Sequence, residues 1–242
     1  MKKIIALFLT FVLILMVGCS SNDSTENNKS AVSNKKVPLP MSATVYNENN
    51  ELQGYMSYSY NSDDKMEKMG FLNLQKEWEW YYLYVYDKDG NMIEQSQYNS
   101  EGEKQISFFS EYDKDGHKTK EVTDYVEELT MDTTKTFEYD GDLMVRMKST
   151  HDNSYSDFEY DKDGKMLSDK YYHSDGSLSR TWKYEYDEKG NHIKLTFIEA
   201  DGSVAEYTEY KYDDTGFCTT ESRYSEDGKL VEKVCYSTEK II

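Results

Sequence analysis

Apolar and polar residues alternate along most of this chain. Trp182, Tyr184 and Tyr186 share one parity, with Thr181, Lys183 and Glu185 on the other. Past the next turn, Ile193, Leu195 and Phe197 share a face, opposite His192, Lys194 and Thr196. A period of two with one apolar face predicts half-buried antiparallel strands. Tyr, Thr, Phe, Val and Ile supply the matching β-favouring composition. The alternation starts near Thr44, ends near Tyr236 and allows about sixteen strands of seven to nine residues each. Helix is not needed after the first segment, although residues 64–78 are the least regular stretch and leave room for a short helical turn.

Turn phrases cut the alternation at fixed intervals. Tyr84-Val85-Tyr86-Asp87-Lys88-Asp89-Gly90 returns as Phe158-Glu159-Tyr160-Asp161-Lys162-Asp163-Gly164, then from Tyr184 to Gly190 and from Tyr210 to Gly216. Weaker phrases fall between them at Gly102, Gly176, Gly202 and Gly228, so glycines from Gly164 to Gly228 alternate at spacings of 12 and 14. A fixed period marks a repeat architecture. The unit is a β-hairpin, doubled at about 26 residues: Asp takes the first turn position, and Gly takes the left-handed position that ends a bulged type I turn. Tyr139-Asp140-Gly141-Asp142 suits a two-residue turn, and less obvious turns are due near Asn49, Asp63, Met131 and Asp152. The predicted fold is all-β, an antiparallel meander of tandem β-hairpin repeats that curls or twists as an open sheet. Free edge strands at its two ends would permit pairing between chains.

The first residues read differently. Lys2 and Lys3 precede an apolar run from Ile4 to Val17, and Met16-Val17-Gly18-Cys19 closes it. A basic start, a short apolar core and a small residue before the cut mark an export signal. The close resembles the lipobox of bacterial lipoproteins, with Met16 in place of the usual Leu. That resemblance implies cleavage after residue 18, a lipid on Cys19 and anchoring to the outer leaflet of the cytoplasmic membrane, where two or more acyl chains give stable attachment. Residues 1–18 are thus a lipoprotein signal peptide, 19–42 a flexible tether poor in anything to bury, and 43–242 the repeat domain. Pro38 and Pro40 are the only prolines and stiffen the tether's end.

The hairpin phrases resemble the Rhs or YD repeat, Tyr-x-Tyr-Asp-x-x-Gly-Arg/Asn-Leu, over roughly residues 45–237 and most clearly from Phe158 onward. The resemblance implies the β-strand architecture. YD-repeat proteins build shells around toxins or adhesive surfaces, and this chain is short for a shell. Trp80-Tyr81-Tyr82-Leu83 followed by Asp89-Gly90-Asn91-Met92 also resembles the phrase of choline- and glucan-binding wall repeats, although it occurs once and with a longer gap.

Net charge is −18. An acidic surface repels phosphate backbones, which argues against nucleic acid. No catalytic signature stands out: there is no His-Glu-x-x-His or Gly-x-Ser-x-Gly, and the carboxylates are periodic. His117, His151, His173 and His192 sit at or beside turns without metal-ligand spacing. Asp87 to Asn91 looks like the start of an EF-hand loop, but Met92 and Tyr98 stand where Gly and Glu are needed. No cofactor is expected beyond weak Ca²⁺ contact at acidic turns. Tyrosine is abundant, at 23 residues. Trp80, Tyr81, Tyr82, Tyr58, Tyr60, Tyr171 and Tyr207 double up or depart from the main phrase and are the candidate ligand-binding residues. Cys218 and Cys235 flank one hairpin turn; pairing Ser225 with Lys229 and Cys218 with Tyr236 points them to opposite faces as free thiols. The expected function is a non-enzymatic, membrane-anchored extracytoplasmic module that binds a protein or a wall glycan. The alternatives are a structural spacer or assembly element and a glycan-cleaving enzyme with two carboxylates.

Overall fold

The computed structural model describes residues 36–126 and 133–241. The export signal, Cys19 and most of the tether, all within residues 1–35, and the turn expected near Met131 lie outside the described residues. Sixteen antiparallel strands follow one another: β1 (Ser42–Asn47), β2 (Leu52–Tyr60), β3 (Met66–Leu72), β4 (Trp78–Tyr86), β5 (Met92–Asn99), β6 (Lys104–Tyr112), β7 (Lys118–Tyr125) and β8 (Thr133–Asp140). The second half is β9 (Leu143–Ser149), β10 (Tyr155–Tyr160), β11 (Met166–Tyr172), β12 (Leu178–Tyr186), β13 (His192–Glu199), β14 (Val204–Tyr212), β15 (Cys218–Ser225) and β16 (Leu230–Ser237).

The sheet is not open. β1 pairs with β16, Val45 opposite Val234 and Thr44 opposite Cys235, so the meander closes into a barrel. Closure removes both free edges, which an open sheet of this length would leave available for pairing with other chains.

Turn chemistry follows the sequence. In the Asp187–Asn191 turn, Gly190 N–H donates to Asp187 O at 3.0 Å and Asp187 N–H to Asn191 O at 2.9 Å. The Asp187 carboxylate accepts from the Asn191 backbone N–H and side-chain amide, both at 2.8 Å. Gly190 has φ 87°, a conformation costly for any residue with a Cβ. Each such hairpin carries a bulge beside its last tyrosine, as between Glu185 and Tyr186. Asn50, Asp64 and Asn153 take the left-handed position in the turns due near Asn49, Asp63 and Asp152. Residues 64–78 hold no helix: they form β3 and a turn at Asn73–Glu77, with Lys76 in the glycine position. Gly141-Asp142 makes the two-residue turn, with Asp140 opposite Leu143.

Inward and outward faces differ in chemistry. Trp80, Tyr82 and Tyr84 face inward with Met56, Met69 and Val45 in one cluster; Tyr184, Leu195 and Tyr210 form another with Trp182. The outward parity carries exposed Glu79, Lys183, Glu185 and Lys211. A membrane-spanning barrel would carry an apolar band there, so this barrel has the reverse polarity. Among the described residues no helix is long and apolar enough to cross a membrane. Sixteen strands enclose more space than the eight-stranded size that side chains fill. Accordingly, inward Ile106, Phe108 and Phe158 remain only half-buried.

The N-terminal segment lies at one mouth. Pro40 O accepts from the Tyr60 hydroxyl at 2.8 Å, and Met41 N–H donates to Ser237 O at 2.8 Å. Lys36 pairs with Asp64. The last residues assigned to the tether are therefore fastened to the barrel from Lys36 onward. The thiols point to opposite faces as expected, Cys218 packing inward on the Tyr184 cluster, and no disulfide joins the two. Ser225 pairs with Lys229 as expected, but a bulge between Arg223 and Tyr224 then shifts the register by one residue, so Thr220 lies opposite Cys235 and Cys218 does not meet Tyr236.

Candidate functional site

Two rings of tyrosine mark the two mouths. The tyrosine of each Tyr-Asp phrase ends an even-numbered strand, faces inward and sits at the mouth where the N-terminal segment enters. Its hydroxyl donates to a carbonyl at the start of the preceding odd-numbered strand: Tyr86 to Met66 at 2.9 Å, Tyr112 to Met92 at 2.8 Å, Tyr160 to Met144 at 2.8 Å and Tyr212 to His192 at 2.8 Å. These hydroxyls are committed to the scaffold.

The second ring faces outward near the distal mouth. Tyr81 stacks on Tyr98 with centroids 5.0 Å apart, Tyr155 on Tyr172 at 4.9 Å, and Tyr207 on Tyr224 at 5.0 Å. The pairs are cross-strand neighbours, so the register places them. A cation lies over each: Lys68 Nζ is 3.9 Å from the centroids of both Trp78 and Tyr81, Arg146 lies over Tyr155 at 4.7 Å, and Lys194 over Tyr207 at 4.3 Å. Arg146 is also held by Asp157 through two hydrogen bonds, at 2.6 and 2.8 Å. Burial against the rings lowers the Lys68 pKa.

The candidate aromatics divide between these faces. Tyr81 and Tyr207 belong to the outward pairs. Trp80, Tyr82 and Tyr58 lie in the core rather than on the outer surface, 9%, 5% and 9% exposed. The run from Trp78 to Tyr86 is aromatic on both parities, and only barrel closure decides which parity is inside. Tyr60 faces inward and holds Pro40. Tyr171 shares the inward parity of Asp169, whose cross-strand partner Trp182 packs on the inner cluster.

The sequence reading missed the inward charges. Arg223 pairs with Glu206 at 3.1 Å, and Lys118 and Lys135 flank Glu121 at 2.9 and 3.4 Å. Glu221 accepts a 2.9 Å hydrogen bond from the Tyr236 hydroxyl. Burial pushes the Glu221 pKa up to about 7, against the pull of Tyr236. Asp169 is raised to about 6 by burial, with Ser156 and Arg180 acting in the opposite direction. His192 lies among the rings of Tyr184, Tyr186 and Tyr210, at 5.4, 5.5 and 4.8 Å, and burial lowers its pKa. The inward parity of Asp169 and Glu221 is visible in the alternation, and that signal could have found them.

Acidic turns spend their oxygens locally. Asp161 Oδ1 accepts from the N–H groups of Asp163 and Lys165 at 2.8 and 2.9 Å. Among the described residues no group of three or more His, Cys, Asp or Glu side chains could hold a metal ion.

No family model matches the chain, and no curated protein matches it. Solved structures do resemble it. A porin-like protein from Bacteroides vulgatus ATCC 8482 aligns at TM-score 0.52 with 13% identity, over 84% of this chain and 100% of that one. The TcdB2-TccC3-Cdc42 structure aligns at TM-score 0.33 with 13% identity over 74% of this chain, which spans 12% of that one. A second porin-like protein, from Bacteroides uniformis ATCC 8492, aligns at TM-score 0.33 with 10% identity, over 76% and 54% of the two chains. The first likeness supports the closed all-β barrel. The other two are too shallow to carry an argument.

Proposed function

We propose that the protein is an exported lipoprotein, anchored through a lipid on Cys19, whose YD-type barrel binds a wall glycan or an extracellular protein without catalysing a reaction. The observation that carries this reading is the placement of the two tyrosine rings. The inward ring is used up in hydrogen bonds at the mouth where the N-terminal segment enters. The outward ring, with its cations, lies at the opposite end, farthest from an anchor on that segment. Stacked amphipathic rings offer flat faces to sugars and peptides. The acidic exterior and reversed polarity fit a water-exposed body on a tether.

Co-sedimentation of the mature chain with purified wall sacculi tests the reading. Retention that survives moderate salt and is lost in a Tyr81→Ala/Tyr98→Ala variant is the expected result. If the protein stays in the supernatant and captures no surface protein through the same residues, the barrel acts as a structural spacer.

A further inference from the structure

Two opposite charges stand on the inner wall with atoms left unpaired. Asp169 on β11 lies opposite Trp182 on β12, and Arg180, two residues earlier on β12, lies opposite Tyr171. Trp182 packs on the inner cluster, so this parity faces the lumen. Asp169 Oδ1 and Arg180 Nε are buried without a hydrogen-bond partner. The guanidinium instead lies over the rings of Tyr171 and Trp182, at 4.5 and 4.8 Å. Trp182 in turn packs on Phe197, with centroids 5.4 Å apart. Buried polar atoms in folded proteins are nearly always satisfied, and an exception calls for a cause such as a missing ligand. Elsewhere on the inner wall Arg223 meets Glu206, and Glu121 meets Lys118 and Lys135; the Tyr82 hydroxyl and His192 Nε2 are also buried without a partner, but neither stands beside a group of opposite charge that shares its lack.

The place is suited to a ligand. Both side chains as a whole are half-buried, as are Tyr171, Trp182 and Phe197 around them. Arg180 and Tyr171 lie beside the His173–Ser177 turn and Phe197 lies near the end of β13, so the cluster sits inside the distal mouth. The described N-terminal residues fasten at the other mouth. Few convergent polar groups on an aromatic wall are the usual composition of a small-molecule site.

We propose that this wall binds a zwitterionic α-amino acid with an apolar side chain. The ammonium group meets Asp169, the carboxylate meets Arg180, and the side chain lies along Trp182 and Phe197. A carboxylate and a guanidinium side by side match a ligand that carries both opposite charges on one carbon, with charge-assisted hydrogen bonds at each. The site is separate from the outward tyrosine ring and does not depend on it.

Calorimetric titration of the mature chain with L-phenylalanine tests the proposal. N-acetyl-L-phenylalanine, L-phenylalanine amide and N-acetylglucosamine serve as comparison probes. Saturable one-site binding of L-phenylalanine is expected, about tenfold or more tighter than either blocked derivative. Asp169→Asn should weaken L-phenylalanine by a similar factor and leave N-acetyl-L-phenylalanine unchanged. Arg180→Gln should also weaken L-phenylalanine and should leave L-phenylalanine amide unchanged. If a variant fails to fold, the two blocked probes on the wild-type protein decide. Absence of saturable binding, equal binding of charged and blocked probes, or binding untouched by both substitutions would overturn the proposal. A preference for N-acetylglucosamine would overturn the ligand class.

Discussion

The hydroxyl of Tyr186 donates a 2.9 Å hydrogen bond to the carbonyl oxygen of Met166, across a separation of 20 residues. The same separation joins Tyr86 to Met66 and Tyr212 to His192. The tyrosine of the repeat phrase thus clamps the odd strand that begins one hairpin earlier. Tyr186→Phe keeps the ring and removes the donor. It should lower unfolding stability by about 1 kcal/mol, the usual net worth of such a bond. Chemical denaturation reads it; an unchanged midpoint would mean that the ring alone holds the mouth together.

Turn glycines with positive φ should resist substitution more than their asparagine counterparts. Gly190, at φ 87°, replaced by Ala should cost about 1 kcal/mol or more. Asn50 already holds φ 58°, and Asn50→Gly should change stability by no more than about 0.5 kcal/mol. Thermal unfolding of the two variants makes the comparison, and equal losses would contradict it.

Stability should fall as pH rises from mildly acidic to mildly alkaline. Glu221 and Asp169 have folded pKa values raised to about 7 and about 6, above their ordinary values of 4.5 and 3.8. Between those limits the folded state binds more protons than the unfolded state, so stability declines with pH. The loss from Glu221 runs from about pH 4.5 to 7 and that from Asp169 from about pH 4 to 6. His117, raised by Asp142 and Asp113, acts in the same sense near and above pH 6.5. Glu221→Gln should flatten the decline. His192, lowered by burial, acts in the opposite sense below about pH 6.5, so the comparison of wild type with Glu221→Gln carries the test, and an equally steep decline in the variant would contradict the assignment.

The two thiols should differ in reactivity. Cys235 stands opposite Thr44 and Thr220 on the outward face, while Cys218 packs inward. The denatured, unreduced protein should label at both. The folded protein should label Cys235 first, and Cys218 at a rate set by opening. Equal rates in the folded state would contradict the inward placement.

Much of this fold is legible in the sequence because its cues are local. Asp187 and Gly190 announce their turn, and Trp182, Tyr184 and Tyr186 announce their shared face. Closure is not local. It rests on Ala43 and Val45 lying against Tyr236 and Val234, residues at opposite ends of the chain whose alternation fits an open sheet equally well. The candidate aromatics are divided between the two faces for the same reason. Trp80, Tyr81 and Tyr82 look alike as a run, and only closure buries the first and third while turning the second outward. Lys76 hides its turn because it fills a left-handed position with a residue that seldom marks one.

The β1–β16 seam is the claim on which the lumen, the two rings and the inner-wall site all rest. The register places Thr44 directly opposite Cys235. A Thr44→Cys substitution in a Cys218→Ser background, oxidised at low protein concentration and mapped by peptide mass, tests it most directly. The closed barrel predicts an intramolecular disulfide joining positions 44 and 235. Thiols that stay free, or link only between molecules, would contradict closure.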